Sequence, residues 1–207
     1  MTGWPVSAED LLSLQRALGR ATPLLWRPPD LLTVGGCFVC FPRGRAGLGA
    51  AGDPAWAGAA LCRKRCEGTS VATGHARAAY TSGMLALREG ALLEAAVRAL
   101  PGVPDVLLVN ATGLDHPRCS GLAVHLGAVL DLPTVGVTHR PLLAEGPWPD
   151  DVAWATSPLT LDGVVVGYWV RTRVEHRPVA VHAGWRVSAE DAVTVVRRCG
   201  RRKRTPE

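Results

Sequence analysis

Between Asp105 and Asn110 the chain reads DVLLVN, a short continuous apolar run that ends on a polar residue. A run of that length with no polar alternation is the signature of a strand buried on both faces, in the middle of a sheet. Behind it the chain turns at Ala111–Gly113, and a helical pattern resumes after His116. Such a strand delivers its last residue, Asn110, to the end of the sheet. Asn110 is therefore the first candidate site residue. A carboxylate there would hold a hard metal ion, whereas an amide holds one poorly.

The neighbouring segments supply the rest of a mixed α/β order. Ser7 caps a first helix whose apolar face is Leu11, Leu12, Leu14 and Leu18, with Asp10 as a weak capping-box acid and Gly19 near the end. LLTVGGCFVCF, AWAGAALCR and TSVATGHARAAY read as three strands, followed by a helix from about Leu85 to Leu100. A helix starting near Pro117 and running to about Leu130, the strands LPTVGVT, VVVGYWVRT and PVAVHAG, and a last helix from Ser188 complete the order. VSAED occurs at Val6–Asp10 and again at Val187–Asp191, which marks two similar helix starts. One domain over 1–198 with a basic tail over 199–207 accounts for the whole chain.

Composition narrows the class. The 207 residues are 47% hydrophobic and 20% charged, enough for a substantial core. No stretch approaches the roughly 18–20 apolar residues of a membrane span, and the N-terminus lacks the pattern of a secretory signal. A cytoplasmic protein with no membrane partner is the expectation. The net charge of +5 is moderate and partly gathered in RRCGRRKRTPE. The cysteine pairs Cys37/Cys40 and Cys62/Cys66 have zinc-like spacing, but Cys37 and Cys40 lie in a strand-like segment and read as small buried thiols. Cys37 would be a nucleophile only with a depressed pKa.

From about Pro28 to Arg198 the sequence resembles the endonuclease V family, nucleases that recognise deaminated purines such as inosine. PPDLL, AYTSGMLALREG, PDVLLVNATGLDHPRCSGLAVHLG, LPTVGVTHRPL and HAGWRVSAEDAV, in that order and spacing, carry the likeness. It implies an α/β, RNase H-like fold: a central mixed β-sheet flanked by helices. It also implies a metal site built from an Asp on the first strand, a Glu ending an FRE motif and an Asp ending the strand that matches LLVN. Of these, Glu89 is present, Asn110 replaces the strand Asp, and the first Asp falls at Gly36 or within a residue of it. The family's lysine corresponds to His139, its GHR histidine to Trp185, and its PYIP wedge to Ala79–Ser82, which keeps Tyr80. Gly113, His116, Arg118 and Gly121 match.

With two acids replaced, the residues lead to the expectation of no metal, no cofactor and no metal-dependent nuclease activity. The pocket then becomes a cationic one suited to an anionic group, with Asn110, Thr112, Arg118, Arg140, Tyr80, Trp185 and Arg186 binding substrate. Glu89, His139 and His116 are the candidate catalytic groups for proton transfer. The leading expectation is a metal-independent lyase or cyclase of specialised metabolism, expelling sulfate or phosphate, for example in aziridine ring closure. Its substrate would be a small anion, on an acidic carrier protein or with a partner subunit. The alternatives are a catalytically dead nucleic-acid-binding protein and a residual inosine-specific endonuclease. For single residues plainer roles stay open: Glu89 pairing with an arginine, His116 capping a helix, Trp185 filling core.

Overall fold

The computed structural model describes residues 4–42 and 49–200. A first helix, α1 (Ala8–Arg20), precedes three strands, β1 (Val34–Cys40), β2 (Pro54–Cys62) and β3 (Cys66–His75). Then come α2 (Leu85–Arg98), β4 (Val106–Val109), α3 (Leu122–Leu130) and β5 (Thr134–Thr138). The chain closes with β6 (Thr156–Leu161), β7 (Val164–Val170), β8 (Val179–Ala183) and α4 (Ala189–Gly200). All eight strands form one sheet in the order β3-β2-β1-β4-β5-β8-β7-β6. β4 lies between β1 and β5 and runs parallel to both. The remaining pairings are antiparallel. The architecture is the expected α/β one, a mixed sheet with helices on both faces.

The two VSAED words do start two helices. Ser7 Oγ accepts the Asp10 N–H at 3.1 Å, and Ser188 Oγ accepts the Asp191 N–H at 3.0 Å. Each removes one of the orphan donors of a first helical turn. On one face of the sheet α1, α2 and α3 bury Leu11, Leu93 and Leu126 against Cys37, Leu107 and Val109. On the other, α4 buries Val193 and Val195 against Val106, Val135, Val170 and Val181. β4 contributes to both cores, which explains its unbroken apolar sequence. α4 lies over β7 and β8, and on that face Phe38 and Val71 of β1 and β3 stay exposed at 52% and 69%.

Three expectations need correction. The helix expected from Pro117 begins only at Leu122, because Cys119 takes a positive φ of 48° and breaks the turn. The strand β6 was not expected at all. Its sequence TSPLTL carries Pro158, which a sheet tolerates here because β6 is an edge strand. α4 continues to Gly200, past the boundary drawn at 198. The basic tail beyond it lies outside the described residues.

Candidate functional site

The parallel strands β1, β4 and β5 end at the same edge of the sheet, and loops 110–121 and 139–147 leave from there. The Asn110 N–H donates to the Cys37 carbonyl at 3.2 Å, extending the β1–β4 ladder by one residue. Cys37 pairs with Val109, so the next residue on β1, Phe38, stands level with Asn110. Gly36 pairs with Leu108, one layer back. An acid delivered by β1 to the same point as residue 110 would therefore sit at 38. The placement at Gly36 is corrected by this register, and the residue facing Asn110 is an exposed aromatic ring.

A cleft of about 270 Å³ opens on the helix-covered side of Asn110. Its walls include Tyr80, Gly83, Leu85, Ala111, Thr138 and Leu142. The loop carrying Tyr80 is held from behind. Gly83, at φ +76°, offers a carbonyl that accepts from Gln15 Nε2 at 3.0 Å, His116 Nε2 at 3.0 Å and Arg118 Nη2 at 3.3 Å. Gln15, 2% exposed on α1, also accepts from Arg118 Nε at 2.7 Å. A polar residue on the buried face of α1 is thus explained: it ties the helix to the cleft loop. Loop 110–121 is packed just as tightly. A Cβ on Gly113 would lie 1.9 Å from the Ala183 carbonyl oxygen.

The titratable groups divide by environment. Glu89 borders a neighbouring hollow together with Tyr80 and Asn110. Burial raises its pKa from 4.5 to about 7, against the pull of Arg88. Arg88 itself is committed elsewhere: it donates to Asp53 at 3.2 Å and to the carbonyls of Ala50 and Ala78 at 2.8 and 2.7 Å. His116 has its pKa lowered, chiefly by burial. Neutral, it donates from Nε2 to Gly83 and accepts the Arg118 N–H at Nδ1, 3.2 Å away. Burial pushes the Cys37 thiol up to about 12, which removes it as a nucleophile near neutral pH.

Asn110, Thr112, Glu89, Tyr80 and Arg140 are therefore brought around one region, with His139 exposed beside it. His116 and Arg118 are placed there too, but as braces behind the Gly83 loop and not as free ligands for an anion. Trp185 and Arg186 do not belong to it. Thr134, at the start of β5, exchanges hydrogen bonds with Trp185, whereas the cleft lies at Thr138, roughly 13 Å further along the strand. Arg186 reaches Leu24 O at 3.4 Å and Asp131 at 3.5 Å at that far edge. The physical reason is direction: β8 runs antiparallel to β5, so its C-terminal residues return to the opposite edge. The expected cationic pocket is not formed either. On the other side of Asn110 lies an open hollow of about 660 Å³ walled by apolar residues such as Phe38, Leu108 and Val137.

A divalent ion held between β1, β4 and α2, as the resemblance implies, needs clustered oxygen donors. Here Glu89 brings a carboxylate, Asn110 an amide and Phe38 nothing. Among the described residues no group of three His, Cys, Asp or Glu side chains could hold a metal. These donors do not fit a resident divalent ion.

A mixed sheet in this strand order, with loops leaving the ends of its parallel strands, is the RNase H-like fold. Residues 28–207 match the endonuclease V family model. Endonuclease V of Thermus thermophilus is 36% identical over 209 residues, covering 98% of this chain and 89% of the relative. The endonuclease V structure from Streptomyces avermitilis superposes with a TM-score of 0.80 at 31% identity, covering 92% of this chain and 83% of that one. That of Ciona intestinalis, 20% identical with a TM-score of 0.70, covers 92% and 88% and was solved in complex with a 24mer DNA containing an inosine followed by a ribo-adenosine. The chain belongs to the endonuclease V family. The expected lyase or cyclase of a small anionic metabolite is overturned, since a relative this similar along nearly the whole chain is an endonuclease. The small anion and the carrier protein fall with it.

Sequence reasoning passed over Phe38, Gln15, Asp115, Thr138 and His182. None stands in a recurring spacing, and only Gln15, a lone polar residue on an apolar helix face, left a readable trace.

Proposed function

We propose that this chain acts on nucleic acid and takes one unstacked base into the cleft beside Asn110, with the adjoining backbone passing over Asn110 and Glu89. The observation that carries this reading is the cleft itself. It is lined by Gly83, Ala111 and Thr112, and it is flanked by Tyr80, 40% exposed, and by Leu85 and Leu142. Small wall residues with apolar side chains beside them suit a planar heterocycle, and an exposed tyrosine can stack on the base left behind. Arg140 and His139 on the rim, on a chain of net charge +5, favour a polyanion. The family's recognition of deaminated purines makes inosine the first base to try.

The test is fluorescence anisotropy with single-stranded DNA and RNA that carry inosine or adenosine at one position. Binding that weakens with salt and prefers inosine supports the reading. Absence of salt-dependent binding to all four probes refutes it. A second reading, strand cleavage beside the bound base, is favoured by Glu89 in the adjoining hollow that shares Asn110 and Tyr80 with the cleft, and by relatives that are endonucleases. The same probes incubated with Mg²⁺ or Mn²⁺ and resolved by length decide it.

A further inference from the structure

Two recesses open on either side of one ridge. Asn110 and Thr138 line the cleft on the helix-covered face of the sheet, and they also line the open hollow of about 660 Å³ on the opposite face. The ridge is firmly held. The Thr138 hydroxyl donates to the Arg140 carbonyl at 2.7 Å, so in the 2.8 Å contact between Thr138 Oγ1 and His182 Nε2 the imidazole is the donor. Buried Asp115 accepts the N–H groups of Leu142, Leu143 and Ala144 at 2.6, 2.8 and 2.8 Å, which fixes the segment that brings Leu142 to the cleft wall.

The cross-section of the hollow follows from strand register. Cys37 pairs with Val109 and Val109 with Gly136, so the next residues, Phe38, Asn110 and Val137, form one row across β1, β4 and β5. All three line the hollow. Neighbouring strands lie about 4.8 Å apart, so the row spans about 10 Å, with an amide at its centre and an apolar side chain at each end. Two residues back along β1, Gly36 lines the floor, and a Cβ there would meet no atom within 4 Å. The exposed Phe38 ring is propped from β2, since a Cβ on Gly58 would lie 3.1 Å from its Cε1. β1 is paired with β2 on one side and β4 on the other, so the hollow offers side chains and no free strand edge.

We propose that the hollow is a second base subsite, which takes the nucleobase next to the one held in the cleft, its face on Phe38 and its edge on the Asn110 amide. The inference rests on the nucleic-acid reading above. The two recesses share a dividing wall, so a strand that places one base in the cleft passes directly over the hollow. An aromatic ring stacks on any base, and the amide brings both a donor and an acceptor to the base edge. An aliphatic occupant would cover that amide and leave it unpaired. His139, exposed at the mouth, offers a ring N–H to the phosphate between the two nucleotides.

The test measures fluorescence anisotropy with single-stranded DNA carrying one inosine, and with the same strand in which the base before or after the inosine is replaced by an abasic site. Wild-type protein is expected to lose roughly tenfold in affinity when one of those two bases is missing. Phe38→Ala should show that loss already with the intact strand, and removing the same base should cost it less than about twofold more. Gly36→Leu, which fills the floor of the hollow from the face away from the cleft, should behave like Phe38→Ala, and Phe38→Trp should bind like wild type. Wild-type binding that is indifferent to both neighbouring bases overturns the second subsite and leaves the cleft standing. Neighbour effects that keep their full size on both sides in Phe38→Ala and Gly36→Leu, each checked to be folded by its melting temperature, overturn it as well. No binding of the intact inosine strand by wild type overturns both readings.

Discussion

Glu89→Gln is expected to stabilise this protein at neutral and alkaline pH and to do nothing at acid pH. Glu89 ionises at about 7 in the folded chain and near 4.5 when exposed. Below 4.5 it is protonated in both states and contributes no pH dependence. Between 4.5 and about 7 the unfolded chain has released the proton that the folded chain keeps. Unfolding therefore releases protons, and stability falls as pH rises. Above 7 both states are ionised and the penalty is constant. The two values differ by about 2.5, and at ~1.4 kcal/mol per pH unit the full cost is ~3 kcal/mol. The amide keeps the shape and removes the charge, so the variant escapes that cost. Urea denaturation of both proteins at intervals from pH 4 to 8.5 measures it. The wild-type curve should descend through the 4.5–7 window while the variant's stays flatter, the two separating by ~3 kcal/mol above pH 7.5. Parallel curves across that window would show that Glu89 is solvated well enough to ionise normally, and the reading of its environment would be wrong.

Other substitutions probe the cleft. Gln15→Leu keeps the buried volume but removes the bonds to Gly83 and Arg118, and is expected to cost ~2–4 kcal/mol. That corresponds to a fall in Tm of roughly 5–15 °C by differential scanning calorimetry; a change under about 2 °C would show that α1 does not brace the loop. Gly113→Ala places a methyl against the Ala183 backbone and should cost about 3 kcal/mol or more, visible as loss of soluble folded protein by circular dichroism. Tyr80→Ala should leave Tm unchanged and weaken single-strand binding by the ~1–3 kcal/mol of one stacked base; equal affinity would remove Tyr80 from the interface. Phe38→Asp combined with Asn110→Asp should raise Mn²⁺ affinity in calorimetric titration, whereas Gly36→Asp with Asn110→Asp should raise it less, because only position 38 is level with 110.

Much of the fold is legible in the order of residues. VLLV is central because it is apolar at every position, and the structure buries it between two cores. Ser7 and Ser188 announce their helices through hydrogen bonds that reach only three residues. Both signals are local, so they survive in a linear reading. β6 escaped because its Pro158 argues against a strand unless the strand is already known to be an edge.

The site was less legible for the same reason in reverse. The motifs locate the Asn110 loop, Glu89 and Tyr80, each within a short distance of a strand or helix end. Trp185 and Arg186, equally conspicuous in sequence, fall at the wrong edge because β8 runs backward against β5. His116 and Arg118 look like free polar groups until Gln15 and Gly83, far away in the chain, are seen to occupy them. Thr138 and His182 meet only through the register of β5 on β8. Sequence by itself determined most of the strands and helices and which family they resemble, because capping and burial patterns act over a few residues. Only the tertiary structure decided which side chains face one another, because strand direction and register are set by pairing between distant segments, and a shift of one residue turns every side chain to the other face.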